Sequence, residues 1–143
     1  MESGRCGYIY SWQALIQEAN AYYAGSYIPS EPHQGLCPSG WHLPSINEIL
    51  TLDLRVGGTA GVNVAQEPGM NFWRAGYGFD LLPVGTANYN TGALTGQGTN
   101  AFVFTSTRNS NTAAYYAIIT PTYINFWTIL KRAGVTTRCV ANS

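Results

Sequence analysis

The sequence predicts an α+β fold in which two helices pack on an antiparallel sheet and long irregular loops join the elements. The first half contains two helical patterns, each with a start signal and a stop signal. The last third contains β-branched and aromatic runs that are typical of strands. A chain of 143 residues has the usual length of one domain, so residues 1–143 are expected to form a single domain.

The first helix is predicted directly after a short apolar run at residues 8–10, which is itself a candidate strand. Ser11 stands at the N-cap position, where its hydroxyl can accept a hydrogen bond from the first turn. Gly25 is expected to end the helix, and the Pro and Gly residues of segment 25–40 predict turns. The apolar face of this helix should contain Trp12, Leu15, Ile16, Ala19, Tyr22 and Tyr23.

The second helix is predicted after a brief strand at residues 41–43. Ser45 and Glu48 have the spacing of a capping box, in which the hydroxyl and the carboxylate each accept a backbone N–H of the other residue. Gly57 and Gly58 are expected to end this helix. Its apolar face should contain Ile46, Ile49, Leu50 and Leu54.

Loops and strands are predicted for the rest of the chain. Residues 59–70 are expected to form an irregular loop, and residues 71–85 are expected to form turns. The Gly, Thr and Asn residues of segment 88–100 predict a surface hairpin or a long loop. Strands are predicted at residues 102–106, 114–120, 123–130 and 136–141.

Composition excludes several functional classes. Charged residues are 10% of the chain, against ~25% in typical soluble domains, and the net charge is +0. A neutral chain has no electrostatic basis for binding nucleic acid, and no apolar run is long enough to span a membrane. The N-terminal residues lack the hydrophobic core of a signal peptide, so the protein is either cytosolic as made or follows a removed leader.

The sequence predicts no catalytic or metal site. His33 lies in a predicted loop and His42 in a short strand, where a lone His is usually a hydrogen-bonded structural residue. Neither Asp53 nor Asp80 is near a His in sequence, so no Ser-His-Asp set is proposed. Calcium requires carboxylates, none of which follows Asp80, and the three Cys residues lack metal-ligand spacing. A protein without enzymatic activity, cofactor or metal is expected.

The segment of residues 109–130 has an unusual composition. It contains no Asp, Glu, Lys, Arg, His or Gly, yet it contains three Tyr, one Phe and one Trp. Rigid aromatic rings combined with Ser, Thr and Asn are typical of antibody-like binding surfaces, although an ordinary pair of strands is the alternative. Alternation predicts that Tyr116, Ile118 and Ile124 face the core. The binding candidates are Asn111, Tyr115, Ala117, Ile119, Thr120, Thr122, Tyr123, Asn125, Phe126, Trp127 and Thr128.

Several motifs in combination resemble a known family. Residues 37–49 read CPSGWHLPSINEI, residues 8–14 read YIYSWQA, and residues 78–85 read GFDLLPVG. Thr105-Ser106-Thr107 and the closing Arg138-Cys139-Val140 complete the pattern. From about residue 7 to residue 140, the chain resembles the Fibrobacter succinogenes major paralogous domain. That family resembles the C-type lectin fold as used by formylglycine-generating enzymes, which implies a C-type-lectin-like fold for this chain.

The resemblance has consequences for the cysteines. In the resembling fold, the segment before the GWHLP motif lies near the C-terminal strand, which brings Cys37 close to Cys139. The two residues are expected either to form a disulfide or to pack as two buried thiols. Cys6 is expected to be free or to lie at an edge. A single Cys in the final strand does not supply the redox pair that a formylglycine-generating activity would need.

The resemblance also implies a source of sequence variation. Some members of the family look like the variable proteins of diversity-generating retroelements, which change adenines in a template rich in AAC codons. Changed AAC codons yield residues such as Asn, Ser, Thr, Ala, Tyr, Ile, Phe, Pro and Leu, but never Lys, Glu, Gln, Met or Trp. Every residue of segment 109–130 except Trp127 belongs to the reachable set, and an AGG codon could yield that Trp.

These inferences predict a ligand-binding module of the receptor or adhesin type. Its C-terminal segment, at about residues 105–130, should form a hypervariable surface that binds a protein or glycan without metal. The alternative is a structural or adhesive cell-surface domain of the same family without diversification. The expected location is extracellular or at the cell surface, or on a phage particle.

Overall fold

The fold is mixed α+β in the computed structural model, which describes residues 9–59, 73, 85–88, 90–96 and 98–142. Among these residues, no helix is both long and apolar enough to cross a membrane. The helices are α1 (Trp12–Ile16) and α2 (Ile46–Arg55). The strands are β1 (Trp41–His42), β2 (Thr86–Ala87), β3 (Leu94–Thr95), β4 (Ala101–Arg108), β5 (Ala113–Ile119), β6 (Ile124–Leu130) and β7 (Val140–Ala141).

The longest strands form an antiparallel sheet in the order β4-β5-β6, as the strand predictions for residues 102–130 anticipated. Residues that pair across neighbouring strands point to the same face of the sheet. One face therefore carries Phe102 and Ile118, which pack with Trp12 of α1. The opposite face carries Val103 and Ala117, which pack with Ile49 of α2. The sheet is thus covered on both sides.

Helix α1 begins where the sequence predicts and ends much earlier. The Ser11 hydroxyl accepts a hydrogen bond from the Ala14 N–H at 3.3 Å, as expected of an N-cap. The helix ends at Ile16, where Gln17 adopts a left-handed conformation with φ of 63°. The prediction that the helix reaches Tyr22 was therefore wrong.

The reason for the early end of α1 lies in the segment that follows it. The Leu15 carbonyl accepts the Leu36 N–H at 2.9 Å, and the Ile16 carbonyl lies 2.8 Å from His33 Nε2. In a longer helix, these carbonyls would bond to residues four positions further along the chain. Ala19 and Tyr22 are exposed in consequence and form no helical face.

Helix α2 matches its predicted start and end. Ser45 and Glu48 form both hydrogen bonds of the capping box. The Gly58 N–H donates to the Asp53 carbonyl at 2.7 Å, a bond typical of a Schellman C-terminus. The predicted apolar face was wrong at Leu54, which is exposed. Asp53 is buried instead, and its carboxylate accepts the Trp73 indole N–H at 3.0 Å.

The remaining predictions are met in part. Strands β2 and β3 form a hairpin across the turn-rich segment 88–100, as one of the two alternatives proposed. The predicted strand 8–10 is represented by a bridge from Tyr10 to Val135, and Tyr8 lies outside the described residues. Most of segment 59–85 also lies outside them. The predicted strand 136–141 is reduced to β7, which pairs with β1.

Thr136 and Thr137, which precede β7, form hydrogen bonds to the edge of β4 that faces away from β5. The Phe104 N–H donates to the Thr136 carbonyl at 2.8 Å. The Thr136 hydroxyl donates to the Phe102 carbonyl, and the Thr137 hydroxyl donates to the Phe104 carbonyl. These side-chain bonds satisfy the edge of β4 without adding a regular strand to the sheet.

A bulge in β4 connects the sheet to the surrounding segments. The pairing register of β4 with β5 shifts between Phe104 and Arg108. Within this irregularity, the Thr105 carbonyl accepts the Trp12 indole N–H at 3.0 Å. The Thr107 hydroxyl accepts the Ile46 N–H at 3.0 Å and donates to the Glu31 carboxylate at 2.8 Å. Residues 105–107 therefore tie both helices to the sheet.

Cys37 and Cys139 form a disulfide across a sequence separation of 102 residues. Both cysteines are buried. The bond joins the segment before β1 to the segment before β7, as the disulfide alternative anticipated. Cys6 lies outside the described residues.

Replacing Cys37 and Cys139 together by Ser should destabilise the protein. Opening a loop of this length costs about 4 kcal/mol on the chain-entropy account, which corresponds to a fall in Tm of roughly 10 °C. Thermal unfolding followed by circular dichroism measures this change, with Cys6→Ser as the control. An unchanged Tm in the double variant would show that the bond does not contribute to stability.

Candidate functional site

The candidate surface is built on the hairpin of β5 and β6, whose turn is held by Thr120. The Thr120 N–H donates to the Tyr123 carbonyl at 2.9 Å. The Thr120 hydroxyl oxygen accepts the N–H groups of Thr122 and Tyr123 at 3.3 and 3.1 Å. Hydroxyl-to-backbone bonds of this kind are typical of Ser/Thr turns. Pro121 is exposed at the tip, where it needs no backbone N–H.

The predicted binding residues fall into three groups by exposure. Asn111, Trp127 and Thr128 are exposed, and Trp127 retains 49% of its accessible surface. The half-buried residues are Tyr115, Thr122, Tyr123, Asn125 and Phe126. The buried residues are Ala117, Ile119 and Thr120.

Ala117, Ile119 and Thr120 must be removed from the predicted binding set. Ala117 and Ile119 are 0% and 3% exposed and pack in the hydrophobic cluster against α2. Alternation along a strand separates core residues from surface residues only when one face of the sheet is exposed to solvent, whereas β5 is covered on both faces. Thr120 is buried because its hydroxyl holds the turn. Tyr116, Ile118 and Ile124 are buried, as alternation predicted.

The accessible part of the surface is a row of three side chains, Tyr123 directly before β6 and Asn125 and Trp127 within it, which we call the β6 stripe. Asn125 pairs with Ile118, and Trp127 pairs with Tyr116. The stripe therefore extends the face of the sheet that packs on α1, beyond the part that α1 covers. It combines aromatic area with an amide and carries no ionised group.

The other face of β6 contributes less. Phe126 packs against the hydrophobic cluster next to α2 and is only half-buried. Thr128 and Leu130 follow it on the same face and are exposed. The exposure of Leu130 was not predictable from the sequence, because nothing in its neighbours distinguishes it from a core leucine.

Asn111 does not belong to the same surface as the β6 stripe. It lies in the loop between β4 and β5, where its side-chain oxygen accepts a hydrogen bond from the Arg108 guanidinium. This loop is at the opposite end of the hairpin from Tyr123. At ~3.3 Å per residue along the strand, the two positions lie roughly 25 Å apart. A small ligand would contact one end only, whereas a macromolecule could contact both.

The uncharged segment ends at a buried lysine. Lys131 is 1% exposed, its Nζ donates to the Gly25 carbonyl at 3.2 Å, and it lies 4.6 Å from the centre of the Trp12 ring. Burial lowers the pKa of Lys131, and the nearby charge of Arg108 lowers that pKa further. Lys131 therefore connects the end of β6 to α1 and belongs to the scaffold.

His42 lies in a separate polar cleft and has the contacts of a structural residue. Its Nδ1 is 2.6 Å from Asn142 Oδ1, and its Nε2 is 2.9 Å from Glu48 Oε2. The same carboxylate accepts the Ser45 N–H of the capping box at 2.9 Å. Burial alone would lower the pKa of His42, but the bonds to Glu48 and Asn142 and the Glu48 charge raise it overall. Within the described residues, no group of three or more His, Cys, Asp or Glu could hold a metal.

No family model matches the sequence, and neither a curated protein nor a solved structure matches the chain. The described residues form an α+β fold in which β6, a strand without charged residues, is an outer strand of the β4-β5-β6 sheet.

The His42–Glu48 contact should make stability depend on pH. Because the pKa of His42 is raised by folding, the folded chain binds this proton more tightly than the unfolded chain. The stabilisation is complete below the ordinary pKa of about 6.5 and is lost as the pH rises through the raised value. Denaturant titrations at pH about 5.5 and about 8.5 should therefore show a loss of unfolding free energy on going to the higher pH.

Glu48→Gln is the matched control, since Gln can still cap α2 but carries no charge. The loss between the two pH values should be smaller in this variant. Equal losses in the variant and the natural chain would exclude the ion pair as the cause.

Proposed function

We propose that this protein is a ligand-binding module of the receptor or adhesin type, whose contact surface is centred on the β6 stripe. The observation that carries the proposal is the exposure of Trp127, which lies in a strand without any charged residue. Large aromatic side chains that remain exposed on a folded domain often mark a site of interaction. Trp and Tyr are also the residues most enriched among those that dominate binding energy.

The hairpin separates buried side chains from accessible ones, and this separation supports the proposed function. Ala117, Ile119 and Ile124 are buried and hold the hairpin on the scaffold. Asn125 and Trp127 lie on the opposite face of β6 from Ile124, and Tyr123 directly precedes the strand. All three side chains are at least partly accessible to solvent. Side chains of the second kind can change without loss of packing, so the surface is suited to variation on a constant frame.

A retroelement is the proposed source of that variation, by the resemblance described above. The positions open to change are those with accessible side chains in segment 109–130. Lys131 marks the end of the segment, because a buried cation that contacts Trp12 and the Gly25 carbonyl is part of the frame. The domain is proposed to have the C-type-lectin-like fold of that family.

The proposed ligand is a surface of another protein or a glycan. Aromatic rings and amide or hydroxyl groups can stack on and hydrogen-bond to either one without a metal ion. A buried disulfide is typical of proteins in oxidising compartments, which favours an extracellular, cell-surface or phage-borne location. No enzymatic activity is proposed.

The origin of variation can be tested in the DNA that adjoins the gene. A near-copy of the codons for residues 105–140, next to a reverse transcriptase gene, should carry adenines where the two copies differ. The differences should fall on codons for accessible residues such as Tyr123, Asn125 and Thr128. The codons for Ala117 and Ile124 serve as the internal control and should match. Absence of any near-copy would leave a domain without diversification.

The exposure of the contact residues can be tested by a triple variant. Changing Thr122, Tyr123 and Trp127 together to Ser should alter the Tm by less than ~5 °C, because these side chains contribute little to the core. The same measurement on Tyr116→Ser is the control, since Tyr116 is 7% exposed and stacks on Phe102 with ring centres 5.6 Å apart. A large fall in Tm for the triple variant would place its residues in the core and contradict the proposed surface.

A further inference from the structure

Among the described residues, β6 pairs with β5 along one edge and with no strand along the other, which we call its open edge. The Thr120 N–H donates to the Tyr123 carbonyl, and the Lys131 N–H donates to the Thr112 carbonyl, both at 2.9 Å. In an antiparallel ladder, alternate residues of a strand bond to the same neighbour, so these two bonds define the pattern along β6. The β6 residues that turn their backbone groups away from β5 are Ile124, Phe126, Thr128 and Leu130. Ile124 already has an interaction within the chain.

At Phe126, Thr128 and Leu130, two of the outward groups are satisfied within the chain. The Phe126 N–H donates to Asn125 Oδ1 at 2.8 Å, and the Leu130 carbonyl accepts the Ala133 N–H at 3.0 Å. The Phe126 carbonyl, both backbone groups of Thr128 and the Leu130 N–H have no hydrogen-bond partner within the part of the chain that the structure describes. Unpaired groups along a strand edge are a template for another strand.

We propose that a second copy of this chain pairs with β6 in antiparallel orientation, with Thr128 opposite the partner's Thr128. Each Thr128 N–H then donates to the other Thr128 carbonyl, and each Leu130 N–H donates to the other copy's Phe126 carbonyl. A full ladder would also join the Phe126 N–H of each copy to the Leu130 carbonyl of the other copy. These two groups already have partners within their own chain, Asn125 Oδ1 and the Ala133 N–H.

The register of the pairing follows from which backbone N–H and carbonyl groups on the outer edge of β6 already have a hydrogen-bond partner. Centring the pairing on Phe126 would require its N–H, which Asn125 occupies. Centring it on Leu130 would require its carbonyl, which Ala133 occupies. Ile124 has an interaction within the chain, so Thr128 is the outward-facing residue whose N–H and carbonyl are both available. A two-fold axis at Thr128 therefore makes the edge complementary to itself, as the interface of a symmetric dimer must be.

Side chains next to the axis fit the same arrangement. Residues that pair across the axis share a face, so Trp127 lies opposite the partner's Ile129, and Phe126 lies opposite the partner's Leu130. Trp127 and Leu130 are 49% and 36% exposed in the single chain, and the partner would cover part of both. β6 contains no charged residue, so no like charges oppose one another.

Among the described residues, a groove lies beside the C-terminal end of this edge. The β2–β3 hairpin stands beside this end of β6. A groove of about 240 Å³ separates them and would receive the partner's Phe126. Its lining includes Thr86, Ala87, Thr95, Ile129, Leu130 and Ala133.

This pairing goes beyond the proposed ligand-binding function and does not depend on it. The bonds at the axis involve backbone groups, which are the same whatever side chains the β6 stripe carries. Pairing would place the stripes of both copies side by side on one continuous surface. A receptor module of this kind would present two copies of its contact surface to one ligand.

Sedimentation velocity on the full chain over a range of concentrations tests the proposal. The natural chain is expected to form a dimer. Thr128→Lys should be monomeric, because two ammonium groups would lie opposite each other across the axis. Thr122→Lys adds the same charge in the turn, away from the edge, and should remain dimeric.

Mixing supplies a stringent check. Thr128→Lys and Thr128→Glu should each be monomeric alone and should form a heterodimer together, because opposite charges then meet at the axis. Recovery of the dimer on mixing also shows that both variants are folded. A natural chain that stays monomeric would overturn the proposal, and so would a Thr128→Lys chain that still dimerises. A monomer whose β6 edge binds only a strand of another protein would overturn it as well.

The proposed function can fail without affecting this result. Absence of a near-copy in the adjoining DNA would remove diversification and leave the dimer intact. Conversely, a monomeric natural chain would leave the exposed β6 stripe available to a ligand.

Discussion

Strand β5 is the constraint on which the rest of the structure depends, because its residues from Tyr116 to Ile119 are enclosed on every side. It pairs with β4 along one edge and with β6 along the other. Its side chains enter a hydrophobic cluster on each face, Tyr116 and Ile118 toward α1, and Ala117 and Ile119 toward α2. Within this strand only Ala113 and Tyr115 are half-buried and the other residues are buried, so most of the exposed side chains of the hairpin lie on β6.

The outer strands end in different ways. The outer edge of β4 is closed by Thr136 and Thr137, whose hydroxyls donate to its carbonyls, and its bulge carries the bonds to Trp12 and Ile46. The open edge of β6 carries unpaired backbone groups around Thr128 within the described residues. The sheet is therefore bonded to the surrounding segments along β4, whereas the outer edge of β6 has unpaired backbone groups around Thr128 among the described residues.

Features that depend on local chemistry were predictable from the sequence. The capping box of Ser45 and Glu48 and the Gly57-Gly58 stop are encoded within a few residues, and the β-branched runs located the strands of the sheet. Features set by distant contacts were not predictable. Helix α1 ends early because Leu36 and His33 take its carbonyl bonds, and no local signal reports those partners.

The candidate surface shows the same limit. A segment without charges and rich in aromatic residues was recognisable in the sequence, but its division into core and surface was only partly so. Alternation correctly predicted that Tyr116, Ile118 and Ile124 are buried, and failed at Ala117 and Ile119 because the second face of β5 is covered by α2. The open edge of β6 depends on backbone direction, which composition does not reveal.

The central claim is that Trp127 of β6 faces solvent, whereas Tyr116 of β5 and Trp12 of α1 do not. Hydroxyl-radical footprinting of dilute protein, read by mass spectrometry, measures this difference residue by residue. The account predicts rapid oxidation of Trp127, which is 49% exposed, and protection of Trp12, which is 0% exposed. Protection of Trp127 to the same degree as Trp12 would contradict it.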